Sequence, residues 1–226
     1  MFKYIALLLI FFPINAFCKQ LKVAVVDTGF NFNDSRLNSK LCHDGHANFT
    51  NESMNDINGH GTAIISLIEQ YAKNSNYCII ILKYYSNKDT PNLNAYRELL
   101  SLHEAVKLKV DIVNLSGGGY NEFPDEEEII EESSNITYIV STGNDGKNID
   151  KYHFYPASYQ YSNIISVGSF DFKKSNRSNK AVYESGEDVK VLLPNNKIGH
   201  LTGTSLSTAI HTGKFIYKKQ LNENFF

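Results

Sequence analysis

A chain of 226 residues has the length of one ordinary domain, and a hydrophobic fraction of 42% can supply a sizeable core. Acidic and basic residues nearly balance, with 24 Asp and Glu against 22 Lys and Arg, for a formal net charge of −2. That balance gives no electrostatic reason to expect a nucleic acid or an acidic membrane surface as a partner.

The beginning of the chain predicts a secretory signal peptide over residues 1–18. Lys3 supplies a positive charge, the apolar run IALLLIFF follows, and small residues near its end suit cleavage after Ala16 or Cys18. A membrane anchor is the alternative, but the apolar run is far shorter than the roughly 20 residues that a spanning helix needs. We therefore expect export to the periplasm or the extracellular space, no membrane span, and one mature domain over residues 19–226.

Export bears on Cys42 and Cys78, the cysteines that remain if the signal peptide ends at Cys18. In an oxidising compartment two such residues can form a disulfide, and we favour a bridge between Cys42 and Cys78. The alternative is that Cys78, which opens the apolar run CIIIL, is a buried strand residue without a covalent partner.

The segment CHDGH brings Cys42, His43, Asp44 and His46 close together, as in some metal sites. A zinc site at this spacing needs a second pair of ligands, and no such pair accompanies the segment in the sequence. We therefore expect that the protein binds no metal ion and needs no other cofactor.

After the signal peptide, short runs rich in Ile and Val alternate with segments of helical periodicity. The predicted strands are 21–26, 78–82, 111–116, 136–142 and 163–169, then 181–185 and 188–194, and the predicted helices are 61–73, 92–108, 124–133 and 205–220. Such alternation predicts a parallel sheet with helices on both faces. The expected fold class is α/β, a three-layer sandwich with a mostly parallel central sheet.

Asp27 and His60 occupy positions where reactive groups collect in an open parallel sheet. Asp27 directly follows the first strand, and His60 stands between Gly59 and Gly61 at the start of a helix. A carboxylate there can accept the Nδ1 proton of a histidine and fix its tautomer. Taken alone, such an Asp is usually a turn or cap residue, and a lone His is more often structural. The glycine framing of His60 favours the chemical interpretation.

Ser205 and Asn144 add a nucleophile and an amide donor. Ser205 opens the last helix, where its Oγ and backbone N–H face the same space, although a plain helix cap is the alternative. Asn144 lies in TGNDG after a strand, where an Asn is usually a turn residue but can also donate to an oxyanion. With Asp27 and His60, these residues predict hydrolysis by an activated hydroxyl.

The sequence segments that contain these residues resemble motifs of the subtilisin-like serine proteases, the subtilases. They are VVDTG, HGT, GTS and GND, together with NLSGGG at 114–119 and FYPASY at 154–159, so the resemblance covers nearly all of the expected mature chain. The order Asp, His, Ser is also that of the subtilases and differs from the order in chymotrypsin-like enzymes. The resemblance implies a serine endopeptidase.

By this resemblance, Ser205 is the nucleophile, His60 is the general base and then the general acid, and Asp27 orients His60. The side chain of Asn144 and the backbone N–H of Ser205 would form the oxyanion hole. All four residues needed for turnover are therefore expected to be present.

The resemblance also implies a groove for a polypeptide substrate. Ser116, Gly117 and Gly118 would pair, as the edge of a strand, with the substrate backbone. Strand pairing of this kind favours extended, unfolded peptide. The opposite wall of the specificity pocket would consist of Ser141, Thr142 and Gly143.

Between the predicted signal peptide and Asp27 there is no room for the N-terminal prosegment of many secreted subtilases. We therefore expect the domain to fold without one or to be controlled elsewhere. The predicted function is a secreted serine endopeptidase that works through an acyl-enzyme intermediate. The alternative is a pseudoprotease that binds peptide or a protein partner without turnover, and NLSGGG, as a peptide-pairing edge, disfavours an esterase.

Overall fold

Within residues 19–33 and 35–223, which the computed structural model describes, seven strands form a central sheet. They are β1 (Leu21–Asp27), β2 (Ala47–Asn48), β3 (Tyr77–Lys83), β4 (Ile112–Leu115), β5 (Thr137–Ser141), β6 (Ile164–Ser169) and β7 (Val182–Glu184), while β8 (Val189–Leu193) and β9 (Lys197–Leu201) form a separate pair. The helices are α1 (Ser35–Asn38), α2 (His60–Ala72), α3 (Pro91–Lys107), α4 (Pro124–Glu132) and α5 (Thr204–Glu223). The signal peptide predicted at 1–18 lies outside the described residues.

The central sheet has the strand order β2-β3-β1-β4-β5-β6-β7, and every pair of neighbours is parallel. The predicted α/β class with a mostly parallel sheet is therefore confirmed. Because all seven strands run the same way, their carboxyl ends meet at one edge. Asp27 is the last residue of β1 and lies at that edge, opposite Lys83 of β3. Across the same described residues, no helix is long and apolar enough to cross a bilayer.

Side chains of β1 alternate between two apolar layers, because successive residues of a strand point to opposite faces. Val23 and Val25 pack into a core that includes residues of α2 and α5. Ala24 and Val26 pack into a core that includes residues of α3 and α4. A strand buried on both faces must be apolar throughout, which is why the sequence of β1 shows a continuous run instead of alternation.

The segment before the last helix differs from its prediction. The sequence predicts a strand at 188–194, and β8 is indeed there, but it pairs antiparallel with β9, which the sequence pattern does not predict. Asn195 and Asn196 form the connection and both have positive φ, the conformation that tight hairpin turns require. The sequence of β9, KIGHL, contains a glycine and one β-branched residue, so its local strand signal is weak.

The CHDGH segment is attached to β3 by covalent and hydrogen bonds. Cys42 and Cys78 form a disulfide, which confirms the pairing that the sequence favours. His46 Nε2 donates to the Cys42 carbonyl at 3.0 Å, and its Nδ1 accepts from the Ile81 N–H at 3.0 Å. His46 is therefore a neutral structural residue with both ring nitrogens engaged. Among the described residues, no group of His, Cys, Asp or Glu side chains could hold a metal ion.

The two hydrogen bonds of His46 predict a loss of stability in acid. Burial lowers the pKa of His46 below its usual value of 6.5, and the Cys42 carbonyl and the charge of Asp44 offset this only in part. A lowered pKa means that the stabilising contribution is complete above pH 6.5 and is lost as the pH falls towards the pKa of the folded state. We expect urea unfolding to show this loss between pH 8 and 5. The free energy of unfolding should fall by no more than about 1–3 kcal/mol, the cost of leaving a buried hydrogen bond unmade.

The histidine at position 43 supplies the control, since His43 is exposed in the same segment. His43→Gln should keep the pH dependence of the wild type, whereas His46→Gln should flatten it below pH 6.5. An unchanged pH dependence in His46→Gln would show that protonation of this residue does not oppose folding.

Candidate active site

A cleft at the carboxyl edge of the sheet brings several of the predicted residues together. Its volume is about 330 Å³. Asp27 at the end of β1 and His60 at the start of α2 line it on one side. The segment directly after β4 supplies the other side, with Ser116, Gly117 and Gly118. Strands β1 and β4 are neighbours in the sheet, so the residues that follow them necessarily meet at this edge.

Asp27 and His60 form a hydrogen-bonded pair. His60 Nδ1 lies 2.8 Å from Oδ1 and 3.0 Å from Oδ2 of Asp27, whose side chain is only 4% exposed. Because a carboxylate can only accept, Nδ1 carries the proton and Nε2 remains the basic nitrogen. The imidazole itself is 32% exposed, so a ligand in the cleft can reach it.

The surroundings of His60 favour its protonated form. Burial by itself would lower the pKa of the imidazole, but the charge and hydrogen bond of Asp27, with a further contribution from the charge of Asp56, outweigh it. The net effect is a pKa of His60 above the usual 6.5. A base of this kind takes up a proton more readily than an ordinary histidine.

The two glycines that flank His60 have different roles. A Cβ on Gly61 would lie 2.3 Å from the carbonyl oxygen of Gly29, a distance that no real side chain tolerates, so Gly61 permits close contact between the helix and the turn after β1. Gly59 caps the helix in the left-handed region, with φ of 94°. The glycine framing of His60 thus sets both the start of the helix and its approach to β1.

Asp56 is a residue of this site that the sequence analysis missed. Its buried carboxylate accepts hydrogen bonds from the N–H of Gly59 and from the N–H and Oγ1 of Thr62, and so caps the first turn of α2. It also accepts from Thr28 Oγ1 at 2.9 Å, which ties that turn to the residue after Asp27. An Asp shortly before a predicted helix is a capping signal, and that signal could have identified it.

Ser205 lies beside the cleft but is not bonded to His60. Its Oγ donates to the Ser116 carbonyl at 3.2 Å, and Ser116 Oγ donates in return to the Ser205 carbonyl at 3.3 Å. Among the described residues, no hydrogen bond joins Ser205 Oγ to the imidazole. Ser116 lines the same cleft as His60, so the Ser205 hydroxyl is hydrogen-bonded to a residue of the cleft wall. Catalytic hydrogen bonds are often long or unformed in structures without substrate.

Asn144 is held by the residue that precedes Ser205. Its Oδ1 accepts from the backbone N–H of Thr204 at 2.9 Å and from Thr204 Oγ1 at 3.1 Å. With Oδ1 engaged, the exposed Nδ2 is the available donor, and it makes no hydrogen bond to any residue that the structure describes. The N–H of Ser205 belongs to the first turn of α5, where backbone donors have no acceptor within the helix. The backbone N–H of Ser205 and the Nδ2 of Asn144, which is bonded to the preceding residue, are thus two donors without a protein acceptor among the described residues.

The two predicted substrate-binding segments are bonded to each other. Ser141 Oγ donates to the Gly117 carbonyl at 3.3 Å, and the N–H of Gly143 donates to Thr204 Oγ1 at 3.2 Å. Thr142 is fully buried and its Oγ1 donates to the carbonyl of Asn176, so its side chain presents no surface to a substrate.

Asn176 is the second residue that the sequence analysis missed. It is fully buried, although the segment around it, 173–180, consists mostly of polar residues. Its Nδ2 donates to the Thr142 carbonyl at 2.8 Å, and its Oδ1 accepts from the N–H groups of Asp145 and Lys147. These bonds fix the segment that carries Asn144. No local pattern identifies such a residue, because all its partners are distant in sequence.

The sequence matches a family model and is similar to known proteins over most of its length. The model of the subtilase family (peptidase S8) matches residues 18–225. The major intracellular serine protease of Bacillus subtilis (strain 168) is 28% identical over 232 residues, covering 92% of this chain and 71% of that protein. The intracellular serine protease of Paenibacillus polymyxa is 28% identical over 225 residues, covering 90% and 68%.

A solved structure shows the same fold. The crystal structure of a lanthipeptide protease superposes with a TM-score of 0.76 at 19% identity, covering 91% of this chain and 74% of that one. The family match extends over nearly the whole chain, and the serine proteases above align with most of it. The chain therefore belongs to the subtilase family and is a serine-type peptidase, a hydrolase whose substrate is polypeptide.

Proposed function

We propose that this protein is a secreted serine endopeptidase that hydrolyses peptide bonds through Asp27, His60 and Ser205. The observation that carries the proposal is the Asp27–His60 hydrogen bond in an open cleft. The Ser205 hydroxyl is hydrogen-bonded to Ser116 in the wall of the same cleft. His46, by contrast, has both ring nitrogens engaged in structural hydrogen bonds. Nε2 of His60 is not used in the bond to Asp27 and can accept a proton from a third group.

The bond between Ser205 and Ser116 suggests how substrate starts the reaction. The Ser116 carbonyl accepts from Ser205 Oγ in the free protein. An extended peptide that pairs with this edge presents a backbone N–H to the same carbonyl and displaces the hydroxyl. Ser205 Oγ is then released towards His60 Nε2. Substrate binding thus completes the set of catalytic hydrogen bonds.

The reaction follows from these positions. Ser205 Oγ attacks the carbonyl carbon and its proton passes to His60 Nε2, while Asp27 stabilises the imidazolium. Asn144 Nδ2 and the Ser205 N–H donate to the oxyanion. The C–N bond then breaks, and His60 gives its proton to the leaving amine. A water molecule, deprotonated by His60, hydrolyses the acyl-enzyme, and the proton returns to Ser205 Oγ.

Replacement of the nucleophile is the first test. Ser205→Ala removes the attacking oxygen, so labelling by a fluorophosphonate probe should vanish and kcat should fall by roughly 10⁶-fold, a size taken from subtilisin, a member of the same family. Labelling is read by mass spectrometry and turnover by cleavage of an unfolded protein. Ser207→Ala removes a hydroxyl from the same helix outside the cleft and should remain labelled. A folded wild type that neither reacts with the probe nor cuts peptide would point to the pseudoprotease.

The same assay examines the oxyanion donor. Asn144→Ala keeps the nucleophile, so the probe should still react, but kcat should fall by roughly 10²–10³-fold, again a range known from subtilisin itself. Undiminished turnover in this variant would remove Asn144 from the mechanism.

The pH dependence of activity tests the pair of Asp27 and His60. Only neutral His60 can accept the Ser205 proton, and its pKa lies above 6.5, so kcat/KM should rise with pH through a pKa above that value. Asp27→Asn removes the charge that raises this pKa. The acidic limb should therefore shift to lower pH, and kcat should drop by about 10⁴-fold.

An exposed acid provides the control, since Asp125→Asn removes one charge from the surface of α4. It should leave both the position of the limb and kcat unchanged. A wild-type limb at or below pH 6.5, or one that stays in place in Asp27→Asn, would contradict the assigned roles.

We propose further that the protein is exported to the periplasm or the extracellular space. Support comes from the signal-peptide pattern at 1–18 and from the Cys42–Cys78 disulfide, because such bonds persist in oxidising compartments and are rare in the cytosol. The two bacterial relatives described above are named as intracellular proteases. The location of this chain therefore has to be measured directly.

Expression of the full chain in a bacterial host decides the location. We expect the protein in the periplasm or medium, with an N-terminus after Ala16 or Cys18 and no free thiol at Cys42 or Cys78. Leu8→Arg, which breaks the apolar run, should keep it in the cytoplasm. A wild-type protein that stays in the cytoplasm with Met1 in place would refute export.

A further inference from the structure

We propose that Phe154 closes the specificity pocket, so that the enzyme cleaves after glycine or alanine and not after larger residues. This inference rests on the proposed function. The specificity slot is defined here as the space between the wall Ser116–Gly118 and the wall Ser141–Gly143. One wall bonds to Ser205 and the other leads into Asn144. The slot therefore receives the side chain of the residue whose carbonyl group is attacked.

The edge of the Phe154 ring lies between the two walls. A Cβ built on Gly118 would lie 2.6 Å from Cε1 and 3.1 Å from Cζ of that ring. A Cβ built on Gly143 would lie 3.0 Å from both Cε2 and Cζ. The tip of the ring is thus about equally close to each wall. The lack of a side chain at both glycines leaves room for the ring, as well as for the Tyr155 carbonyl beside Gly118 and the Asn176 amide beside Gly143.

The Phe154 ring has little freedom to withdraw. The next residue, Tyr155, exchanges backbone hydrogen bonds of 2.7 and 2.9 Å with Gly119, which directly follows the first wall. The N–H of Phe154 itself donates to Ser158 Oγ at 2.9 Å. With its backbone tied to the wall and its side chain only 8% exposed, Phe154 is a fixed part of the slot.

Tyr120 links the two sides of the slot beside this ring. It packs edge-to-face against Phe154, with ring centroids 5.2 Å apart. Its hydroxyl donates to Asp145 at 2.6 Å, and the Nζ of Lys147 lies 4.0 Å from its ring centroid. Tyr120 follows the first wall in sequence, while Asp145 and Lys147 follow the second. These contacts hold the walls at a spacing set by one aromatic ring.

A slot occupied in this way accepts a hydrogen atom or a methyl group from the substrate. A Leu or Phe side chain would have to displace the Phe154 ring from the space beside Gly118 and Gly143, and packing conflicts of this kind are costly. Differences of a few methylene groups in a pocket change kcat/KM by about 10–200-fold. We therefore expect cleavage after Gly or Ala to exceed cleavage after Leu or Phe by at least about 10-fold.

A peptide series that varies only the residue before the cut tests this directly. Wild type should favour Gly and Ala, and Phe154→Ala should raise kcat/KM for Leu and Phe by at least about 10-fold relative to Ala. Tyr152→Ala removes an exposed ring from the same segment and should keep the wild-type preference. Wild type that cuts after Leu or Phe as fast as after Ala, or an active Phe154→Ala with unchanged preference, would overturn the proposal.

A binding measurement separates this proposal from the proposed function and needs no change at Phe154. Ser205→Ala is incubated with peptides that end in Ala or in Phe and so place that side chain in the slot. The peptide ending in Ala should bind at least about 10-fold more tightly, whether or not the wild type turns over. Equal affinities would show that the slot is open, even if Ser205-dependent cleavage is found.

Discussion

The contact between the first turn of α2 and the turn after β1 is the constraint on which the site depends. The Asp27–His60 hydrogen bond depends on Gly61, because the lack of a side chain there lets the start of α2 come close to the backbone of Gly29. Asp56 then holds the helix end in place through four hydrogen bonds. The backbone at the start of α2 sets the direction of the imidazole, so the hydrogen bond to Asp27 depends on the position of that helix end.

Ser205 depends on a different support. It comes from the far end of the chain, and Ser116 and Thr204 connect it with the two walls of the groove. In the proposed mechanism, the Ser116 carbonyl accepts from the Ser205 hydroxyl in the free protein and from the peptide backbone in the complex. One backbone oxygen would then link the binding of an extended peptide to the release of the nucleophile. In this mechanism, peptide binding in the groove and activation of the nucleophile are therefore coupled.

Local patterns in the sequence were sufficient for six strands of the parallel sheet and for the residues next to its carboxyl edge, such as Asp27, but not for the two-residue strand β2. They were sufficient because a buried strand must be apolar and because the groups at its end follow it directly in sequence. They could not reveal β9, whose strand character comes from its pairing with β8. They also could not reveal Asn176 or the position of Phe154, since both depend on contacts between segments far apart in the chain.

The wall that carries Gly117 lies above a buried acidic pair. A Cβ on Gly117 would meet the hydroxyl of Tyr84, which hydrogen-bonds to Glu98, and Glu98 hydrogen-bonds to Glu126. Burial, and for Glu126 also the charge of its partner, raises the pKa values of both carboxyl groups. Two carboxylates in contact away from water cannot both ionise, so this support needs a shared proton. The mechanism proposed above needs neutral His60, while this pair keeps a proton, so the two respond to rising pH in opposite directions.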